Sequence, residues 1–445
     1  MPDGPGGRPE TAAKDPYALV RTRGYVIVLV VAAVLGVPVS AAAFGFLALV
    51  SELQSLVYTD LPKGLGFDGT PSWWAVPLLA IAGLLVALTI RHLPGTAGHK
   101  PAEGLVATGQ TRPVDLPGIA LAALTTLSLG AVLGPEAPLI ALGSGLAIGA
   151  VRLAKRDFPK EGAEVVGVAG SFAAVSTLLG SPLIGAFLLM EASGIGGAML
   201  GMVLVPGLLA AGIGALIFTG LGSWTGLGTY SLGLGDVPHA SRPDLAGFGW
   251  ALVIGIAAAL VGTAIHRVAL VLQDRVDRRR VVGTVLAGVV VGLIALVYAE
   301  GTGNDISEVL YSGQDQLAPL ISASTGYSAV TLAVLTACKA LAYAVTMSGF
   351  RGGPVFPALF AGAAGGLALS HLPGLGTTAG LAMGIGAMCV AMLKLPLTSV
   401  LLATLLIGSD GVTVVPLVIV AVVVSYVLVL RLTPKPVAAR AEQPA

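Results

Sequence analysis

Long apolar runs, separated by polar breaks or by breaks rich in glycine and proline, follow one another from about residue 24 to about residue 431. Each run is predicted to be a helix, but many are shorter than the roughly 20 apolar residues that a helix needs to cross a membrane. The pattern therefore predicts an all-α polytopic membrane protein in which several helices are broken or re-entrant. The predicted helices are about 24–50, 75–93, 115–132, 137–153, 163–178, 182–192, 197–220, 245–272, 281–298, 327–348, 354–370, 378–393, 396–408 and 413–431.

The composition supports a membrane protein and excludes other classes. Hydrophobic residues make up 55% of the chain, charged residues 11%, and the mean hydropathy is +0.91. A net charge of +1 excludes a strongly basic nucleic-acid-binding protein. Cys338 and Cys389 lie in apolar runs and predict neither a disulfide nor a metal site. Because catalytic, phosphate-binding and metal-binding motifs are also missing, we expect no enzyme activity, no metal and no cofactor.

Clusters of basic residues predict the orientation in the membrane. By the positive-inside rule they should be cytoplasmic, which places both termini on the cytoplasmic side of a multi-pass protein of the cell membrane. Residues 1–20 lack an apolar core, so we expect a disordered cytoplasmic tail rather than a signal peptide. The transmembrane domain is then 21–431, and 432–445 form a short second tail. The basic residues concerned are Arg21, Arg23, Arg275, Arg278, Arg279, Arg280, Arg431, Lys435 and Arg440.

An acidic residue at a break in this apolar chain is the first functional candidate. Glu136 lies in the sequence Gly-Pro-Glu-Ala-Pro at 134–138, where a helix should begin. The free N–H groups at a helix start carry partial positive charge and favour an anion. Glu136 is therefore interpreted as a side chain that occupies or vacates an anion site at membrane depth. The alternative is an acid that only caps its own helix.

The two halves of the chain repeat one plan. A second glycine and proline break at 352–357 also begins a short apolar helix, and each break is followed by a helix that starts with proline, at Pro182 and at Pro396. Interrupted short helices at corresponding positions indicate two inverted-topology repeats with a binding site between them. Chance similarity between segments built from few residue types is the alternative. The halves are about 75–220 and 245–431, with the polar link 221–244 between them.

Other charged residues near the ends of the predicted helices allow two interpretations. Glu191 and Lys394 each lie at a helix boundary and could be structural. The glycine-rich turn 95–101 combines free N–H donors with the charge of Lys100, which suits an anion. It could equally be a surface loop, in which His99 and Lys100 are solvated.

Five motifs, in this order, resemble the landmarks of the CLC family of chloride channels and anion/proton exchangers. The resemblance extends from about 75 to 431. It implies an inverted-repeat fold, a homodimer, one anion pathway in each subunit, and anion sites formed by helix N-termini. The motifs are Gly-Pro-Glu-Ala-Pro at 134–138, Ser-Pro-Leu-Ile-Gly at 181–185 with Met-Glu at 190–191, Gly-Thr-Gly-Asn-Asp at 301–305, Ser-Gly-Phe-Arg-Gly-Gly-Pro-Val-Phe-Pro at 348–357, and Lys-Leu-Pro-Leu-Thr at 394–398.

Carried over residue by residue, the resemblance makes Glu136 the external gating glutamate. In the family this carboxylate competes with the anion and, in exchangers, carries the proton. The anion-binding residues that the resemblance implies, together with the turn at 95–101, are Gly98, His99, Lys100, Gly134, Ala137, Gly353, Val355 and Phe356.

Several positions depart from the family pattern. Gly98 stands where the family has a serine whose hydroxyl binds chloride, and no tyrosine follows Tyr426, although the family's pore tyrosine should fall near Val437. The internal proton glutamate of exchangers corresponds to Ala192, one residue after Glu191. With both hydroxyls missing, the central site should rest on backbone N–H groups, helped by a lysine at position 100.

The sequence thus predicts transport of a small inorganic anion, with chloride favoured, through a CLC-like pore gated by Glu136. Because an alanine at position 192 cannot relay protons, coupling to protons should be weak or absent. The expected partners are the anion, membrane lipid and a second copy of the chain, without nucleic acid. One alternative is a proton-coupled antiporter of chloride or fluoride. Another is a cation-coupled solute symporter, which would also use broken helices.

Overall fold

The computed structural model describes residues 20–105, 110–154, 160–195, 198–324 and 326–433. Nearly all of the two predicted tails lies outside these residues. Sixteen α-helices and no β-strand occur in the described residues, which confirms the all-α prediction. The helices are α1 (Arg23–Ser55), α2 (Leu61–Gly64), α3 (Ala75–His92), α4 (Leu116–Ser128), α5 (Glu136–Ala154), α6 (Lys160–Ala174), α7 (Pro182–Ser193), α8 (Ala198–Thr225), α9 (Leu245–Arg278), α10 (Arg280–Thr302), α11 (Leu317–Ser322), α12 (Ala329–Met347), α13 (Val355–Leu369), α14 (Thr377–Leu393), α15 (Pro396–Ile407) and α16 (Gly411–Leu432).

The helices have the predicted mixture of lengths. In the described chain, eight helical segments are long and apolar enough to cross a membrane, and five shorter apolar helices accompany them. The first segment is longer than the predicted 24–50, because it continues through a π-helical turn (Leu56–Asp60) into α2. The polar side chains there do not break the helix, since Gln54 and Tyr58 donate hydrogen bonds to the carbonyls of Leu127 (2.8 Å) and Leu129 (2.9 Å).

Corresponding helix pairs pack in the same way in the two halves. In the first half α5 packs against α6, and Gly143 meets Gly170. In the second half α13 packs against α14, and Gly362 meets Gly384. At each crossing the small residues let the two backbones approach closely, as is common between membrane helices.

Polar contacts divide the molecule into two ends. At one end, which we call the basic end, Lys100 pairs with Asp277 (2.8 Å), and the arginines 275 and 278–280 lie at the junction of α9 and α10. At the opposite end Ser72 donates a hydrogen bond to Glu300. Both α3 and α10 run from one end to the other, so these contacts mark the two faces of the membrane-spanning body.

Both limits of the described chain lie at the basic end. The end of α1 approaches the start of α3 at the opposite end, where Trp74 donates a hydrogen bond to Val57 (3.0 Å), so the start of α1 lies at the basic end. The end of α16 lies beside the last turns of α9, where Arg267 donates to the carbonyl of Leu432 (2.6 Å).

Candidate functional site

The two glycine and proline breaks meet inside the protein. The N–H of Gly134 donates to the carbonyl of Gly353 (2.8 Å), and the N–H of Gly353 donates to the carbonyl of Gly134 (2.7 Å). A methyl group at either position would overlap the carboxyl group of Glu136. The observed position of the Glu136 carboxyl group therefore requires glycine at both 134 and 353.

The helices that begin at this contact run in opposite directions. α5 extends to the basic end, where Gly149 lies beside Pro113. α13 extends to the opposite end, where a ring nitrogen of His371 lies 3.0 Å from the carbonyl of Tyr327. The partial positive charges of both helix starts therefore converge on the same place from the two halves.

The carboxylate of Glu136 lies at this convergence. Its side chain has no exposed surface, and Oε1 accepts a hydrogen bond from the backbone N–H of Val355, at the start of α13. Oε2 is buried and has no hydrogen-bond partner among the described residues. Tyr343 of α12 supports the same helix start, because its hydroxyl donates to the carbonyl of Pro354 (2.9 Å). Glu136 therefore contacts α13 of the other half, whether or not it also caps the start of α5.

The turn that contains Gly98 has a left-handed backbone. Four consecutive residues, 95–98, have positive φ, from 51° at Thr96 to 89° at Gly98. A side chain at Gly98 would be strained, because L residues rarely adopt its φ of 89° with ψ near −166°. The observed conformation of this turn therefore suits glycine at position 98.

A cavity of about 270 Å³ lies on the basic-end side of Glu136, and we call it the Arg351 cavity. It brings Gly98, His99 and Ala137 of the predicted anion-binding residues together with Arg351. The side chain of Arg351 is only 5% exposed. The lining residues are Gly95, Ala97, Gly98, His99, Gln110, Thr111, Asp115, Ile119, Ala123, Ala137, Pro138, Ile140, Ala141, Arg351 and Gly352.

Two further cavities, of about 350 and 440 Å³, lie towards the opposite end, and we call them the Asp315 cavities. One of them reaches Leu133 and Pro135, directly before Glu136. Burial raises the pKa of Asp315 above its usual range. The residues that line both cavities are Ser51, Gln54, Ser312, Gln314 and Asp315.

The contact between the two breaks therefore separates cavities that approach it from opposite ends. Residues 137, 138, 140, 141, 351 and 352 face the Arg351 cavity, whereas residues 133 and 135 face an Asp315 cavity. The Gly134–Gly353 pair and the Glu136 carboxylate lie between them.

Lys100 lies beside this site without lining the cavity. Its ammonium pairs with Asp277 (2.8 Å) and lies 3.7 Å from Glu103. That Lys100 holds the anion stays a prediction. The charge of Lys100 is already shared with two carboxylates. We therefore expect replacement of Lys100 to lower the affinity for the anion less than replacement of an unpaired lysine would.

The predicted internal proton position lies at the contact between α7 and α15. Glu191 at the end of α7 accepts hydrogen bonds from the backbone of Leu397 (3.0 Å) and from the backbone (2.7 Å) and hydroxyl (2.6 Å) of Thr398. It therefore caps the start of α15 in the other half. Ala192 is partly buried. The position near Val437, where a pore tyrosine was expected, lies outside the described residues.

Sequence reasoning did not single out three residues of this region. Arg351 was noticed only as part of a motif, although a charge beside a double glycine and a proline was a signal. Asp315 and Tyr343 gave no local signal, because their neighbours along the chain do not reveal the cavities or the helix start that they face.

Two helix starts that converge on a buried carboxylate, between cavities from opposite ends, define an ion-transport membrane protein built from two inverted halves. The chain belongs to the voltage gated chloride channel family, the CLC family, whose family model matches residues 82–430. This confirms the resemblance seen in the motifs and sets aside the cation-coupled symporter.

Similar proteins agree with this family. YfeO of Escherichia coli O1:K1, whose name assigns it to ion transport, is 28% identical over 357 residues, which cover 79% of this chain and 81% of YfeO. The solved structure of a slow cyanobacterial Cl⁻/H⁺ antiporter matches with a TM-score of 0.71 at 18% identity, covering 92% of this chain and 95% of that one. A CLC-type fluoride/proton antiporter matches with a TM-score of 0.66 at 19% identity, covering 90% and 95%. These structures confirm the fold.

Proposed function

We propose that the protein transports small inorganic anions, with chloride the favoured ion, through a pathway gated by Glu136. One observation carries the proposal: the Glu136 carboxylate binds at the N-terminus of α13, between cavities that come from opposite ends. A carboxylate and a halide compete for the same backbone N–H donor and the same helix-end charge. The site is therefore closed when Glu136 occupies it and open when an anion has displaced the side chain.

The incomplete hydrogen bonding of Glu136 supports a movable gate. A buried ionised carboxylate is stable only when both oxygens are well compensated, yet Oε2 has no partner. Movement of the side chain into one of the adjacent cavities would expose it to water. The carboxylate can therefore be displaced at a lower cost than a fully bonded one.

Proton-coupled exchange is the second candidate, and the same Oε2 atom favours it. An unpartnered carboxyl oxygen can accept a proton, and both structural relatives described above are named as antiporters. Against tight coupling, Ala192 offers no group that could pass the proton onwards. We therefore propose that anion transport is weakly coupled to proton movement, or not coupled to it. A proton-coupled antiporter is the alternative.

Flux from liposomes tests the proposal. Purified protein should release chloride from loaded liposomes when valinomycin balances the charge, with little accompanying proton movement. Parallel loading with fluoride, nitrate and bicarbonate gives the order of preference, and faster fluoride release would favour the fluoride alternative. Release of no anion under any of these conditions would contradict the proposed function.

We further propose a homodimer in the cell membrane with cytoplasmic termini. The orientation is supported by the basic end, where arginines and both limits of the described chain collect. Light scattering of the purified protein should give twice the chain mass. A cysteine introduced at Arg21 should react with a membrane-impermeant reagent only after the cells are opened.

A further inference from the structure

Arg351 is a buried cation without a carboxylate partner in the described residues. It lies in the loop between α12 and α13, two positions before Gly353. Its Nε donates to the carbonyl of Thr96 (3.3 Å), and Nη1 donates to the carbonyl of its own neighbour Phe350 (3.0 Å). Nη2 donates no hydrogen bond to any described residue.

Arg351 is part of a cavity wall. Arg351 lines the Arg351 cavity, whose volume of about 270 Å³ is large enough for a small anion with several waters. Ala137 and Pro138, from the first turn of α5, line the same cavity, so the partial positive charge of that helix start acts in the same direction.

The other charged groups near Arg351 do not neutralise it. Asp115 faces the cavity but is paired with Arg112 (3.0 Å). His99 also faces the cavity. Burial lowers the pKa of His99 below its usual range, while Glu103 raises it and Arg351 lowers it, so the ring is mainly neutral at pH 7.

Two more distant carboxylates, Glu103 and Asp277, are held by other cations. Glu103 lies 3.7 Å from Lys100, and Asp277 contacts Lys100 (2.8 Å) and Arg280 (2.9 Å). The groups that face or surround Arg351 therefore leave one unpaired positive charge on the cavity wall. A buried unpaired charge is costly unless it binds a counter-ion.

We propose that Arg351 is an anion-binding residue of the Arg351 cavity and supplies the side-chain ligand that Gly98 cannot provide. The inference rests on the proposed anion transport and adds the residue that binds the ion on the basic-end side of Glu136. Its ligand is a small inorganic anion, a halide or one of similar size. A guanidinium suits this role because it stays charged and presents several N–H donors in one plane.

A purely structural role is the competing explanation, because Nε and Nη1 also hold two backbone carbonyls. Binding measurements on Arg351→Gln, Arg351→Lys and a matched control separate the two. Arg152→Gln is the control, since it removes an exposed arginine at the basic-end limit of α5, outside the cavity. Chloride binding is measured by titration calorimetry, and melting temperature is recorded for each protein.

Loss of a charge-assisted hydrogen bond predicts a weakening of chloride binding by about tenfold or more in Arg351→Gln. Arg351→Lys, which keeps the charge, should recover part of this loss, and Arg152→Gln should bind as the wild type does. A lower melting temperature with unchanged chloride affinity in Arg351→Gln would establish the structural role and overturn the inference.

A second test uses bromide and only the wild-type protein, so its result does not depend on whether the variants fold. Crystals of the wild-type protein grown with bromide should show an anomalous peak within hydrogen-bond distance of Nη2 of Arg351. Bromide found only at the start of α13 would overturn the inference. The two proposals fail in different ways. If the protein does not transport anions, the wild type shows no anion flux. If only the role of Arg351 is wrong, wild-type flux remains intact.

Discussion

Two fully buried charged residues of opposite sign, Glu136 and Lys339, differ in how completely they are hydrogen-bonded. The ammonium of Lys339 donates to the carbonyls of Glu308 (3.2 Å), Leu310 (2.7 Å) and Tyr311 (3.1 Å) and lies 4.6 Å from the ring centre of Phe360. Every donor of this lysine has a partner. Oε1 of Glu136 accepts from the N–H of Val355, the N–H groups of Glu136 and Phe356 lie nearby, and Oε2 has no hydrogen-bond partner among the described residues. The satisfied charge holds the fold together, and the incompletely satisfied one is the candidate gate.

Glu136→Gln should abolish the pH dependence of transport while anion flux continues. The neutral amide cannot titrate, and it competes less strongly with an anion for the N–H of Val355. Flux from liposomes is measured between about pH 5 and pH 8 for the wild type and the variant. Glu191→Gln is the control, because Glu191 lines neither the Arg351 cavity nor the Asp315 cavities, and it should keep the wild-type profile. A pH profile that is unchanged in Glu136→Gln would contradict the gate.

Lys339→Met should destabilise the protein, because three carbonyls, one buried (Leu310) and two partly buried (Glu308 and Tyr311), would lose their donor. Unsatisfied buried polar groups cost about 1–3 kcal/mol each, but removing a buried charge offsets part of this, so we expect a net loss of about 2 kcal/mol. The melting temperature in detergent reports the change. Lys63→Met, at an exposed position in α2, should leave it unaltered. Equal melting temperatures for both variants would show that the three bonds contribute little.

At the scale of the helices, close packing at small residues determines where the functional segments lie. The pair formed by α3 and α10 connects the basic end to the opposite end, and its backbones touch where Gly288 faces Leu79. Bilayer lipid is as apolar as a leucine side chain, so such pairs depend on tight contact rather than on the hydrophobic effect.

Gly288→Ala should separate α3 from α10. A methyl group at Gly288 would overlap the carbonyl of Leu79, and backbone atoms cannot move aside as a flexible side chain can. Overpacking of this kind costs about 1–3 kcal/mol. Gly301→Ala is the control in the same helix, because a methyl group there meets no atom within 4 Å. We expect a lower melting temperature for the first variant only, and an equal change in both would refute the packing argument.

At the scale of the whole molecule, the inverted halves explain why the site lies at the centre. Each half contributes a helix that starts at mid-depth, α5 or α13, and the two starts meet through the Gly134–Gly353 pair. A second contact of the same kind joins α7 to α15 through Glu191. In both contacts a carboxylate from the first half accepts hydrogen bonds from a helix start of the second half.

Coupling between anion and proton movement is a property of this whole arrangement. Because Ala192 cannot relay a proton and Glu191 is engaged with α15, we expect an anion gradient to drive anions without stoichiometric uphill proton movement. Proteoliposomes with a pH electrode measure both fluxes. A fixed anion-to-proton ratio that Glu136→Gln abolishes would instead make the protein an exchanger with a proton path that bypasses residue 192.

Much of the fold and part of the site could be predicted from local sequence. The apolar runs predicted the helices, and Glu136 and the two breaks were recognised because an acid or a proline in an apolar run is unusual wherever it occurs. The extension of α1 was missed, because its polar residues Gln54 and Tyr58 resemble a helix end until their partners in the loop after α4 are known.

The sequence by itself determined the membrane-spanning class, the two repeated halves and the acid at the break, since hydrophobic length, proline and glycine act on their own segment of chain. Only the tertiary structure decided that the Glu136 carboxylate meets Val355, 219 positions away, that Lys100 pairs with Asp277, and that Arg351 faces a cavity. These contacts join residues from distant helices. Their geometry depends on how closely the helices pack, which no single segment of the chain specifies.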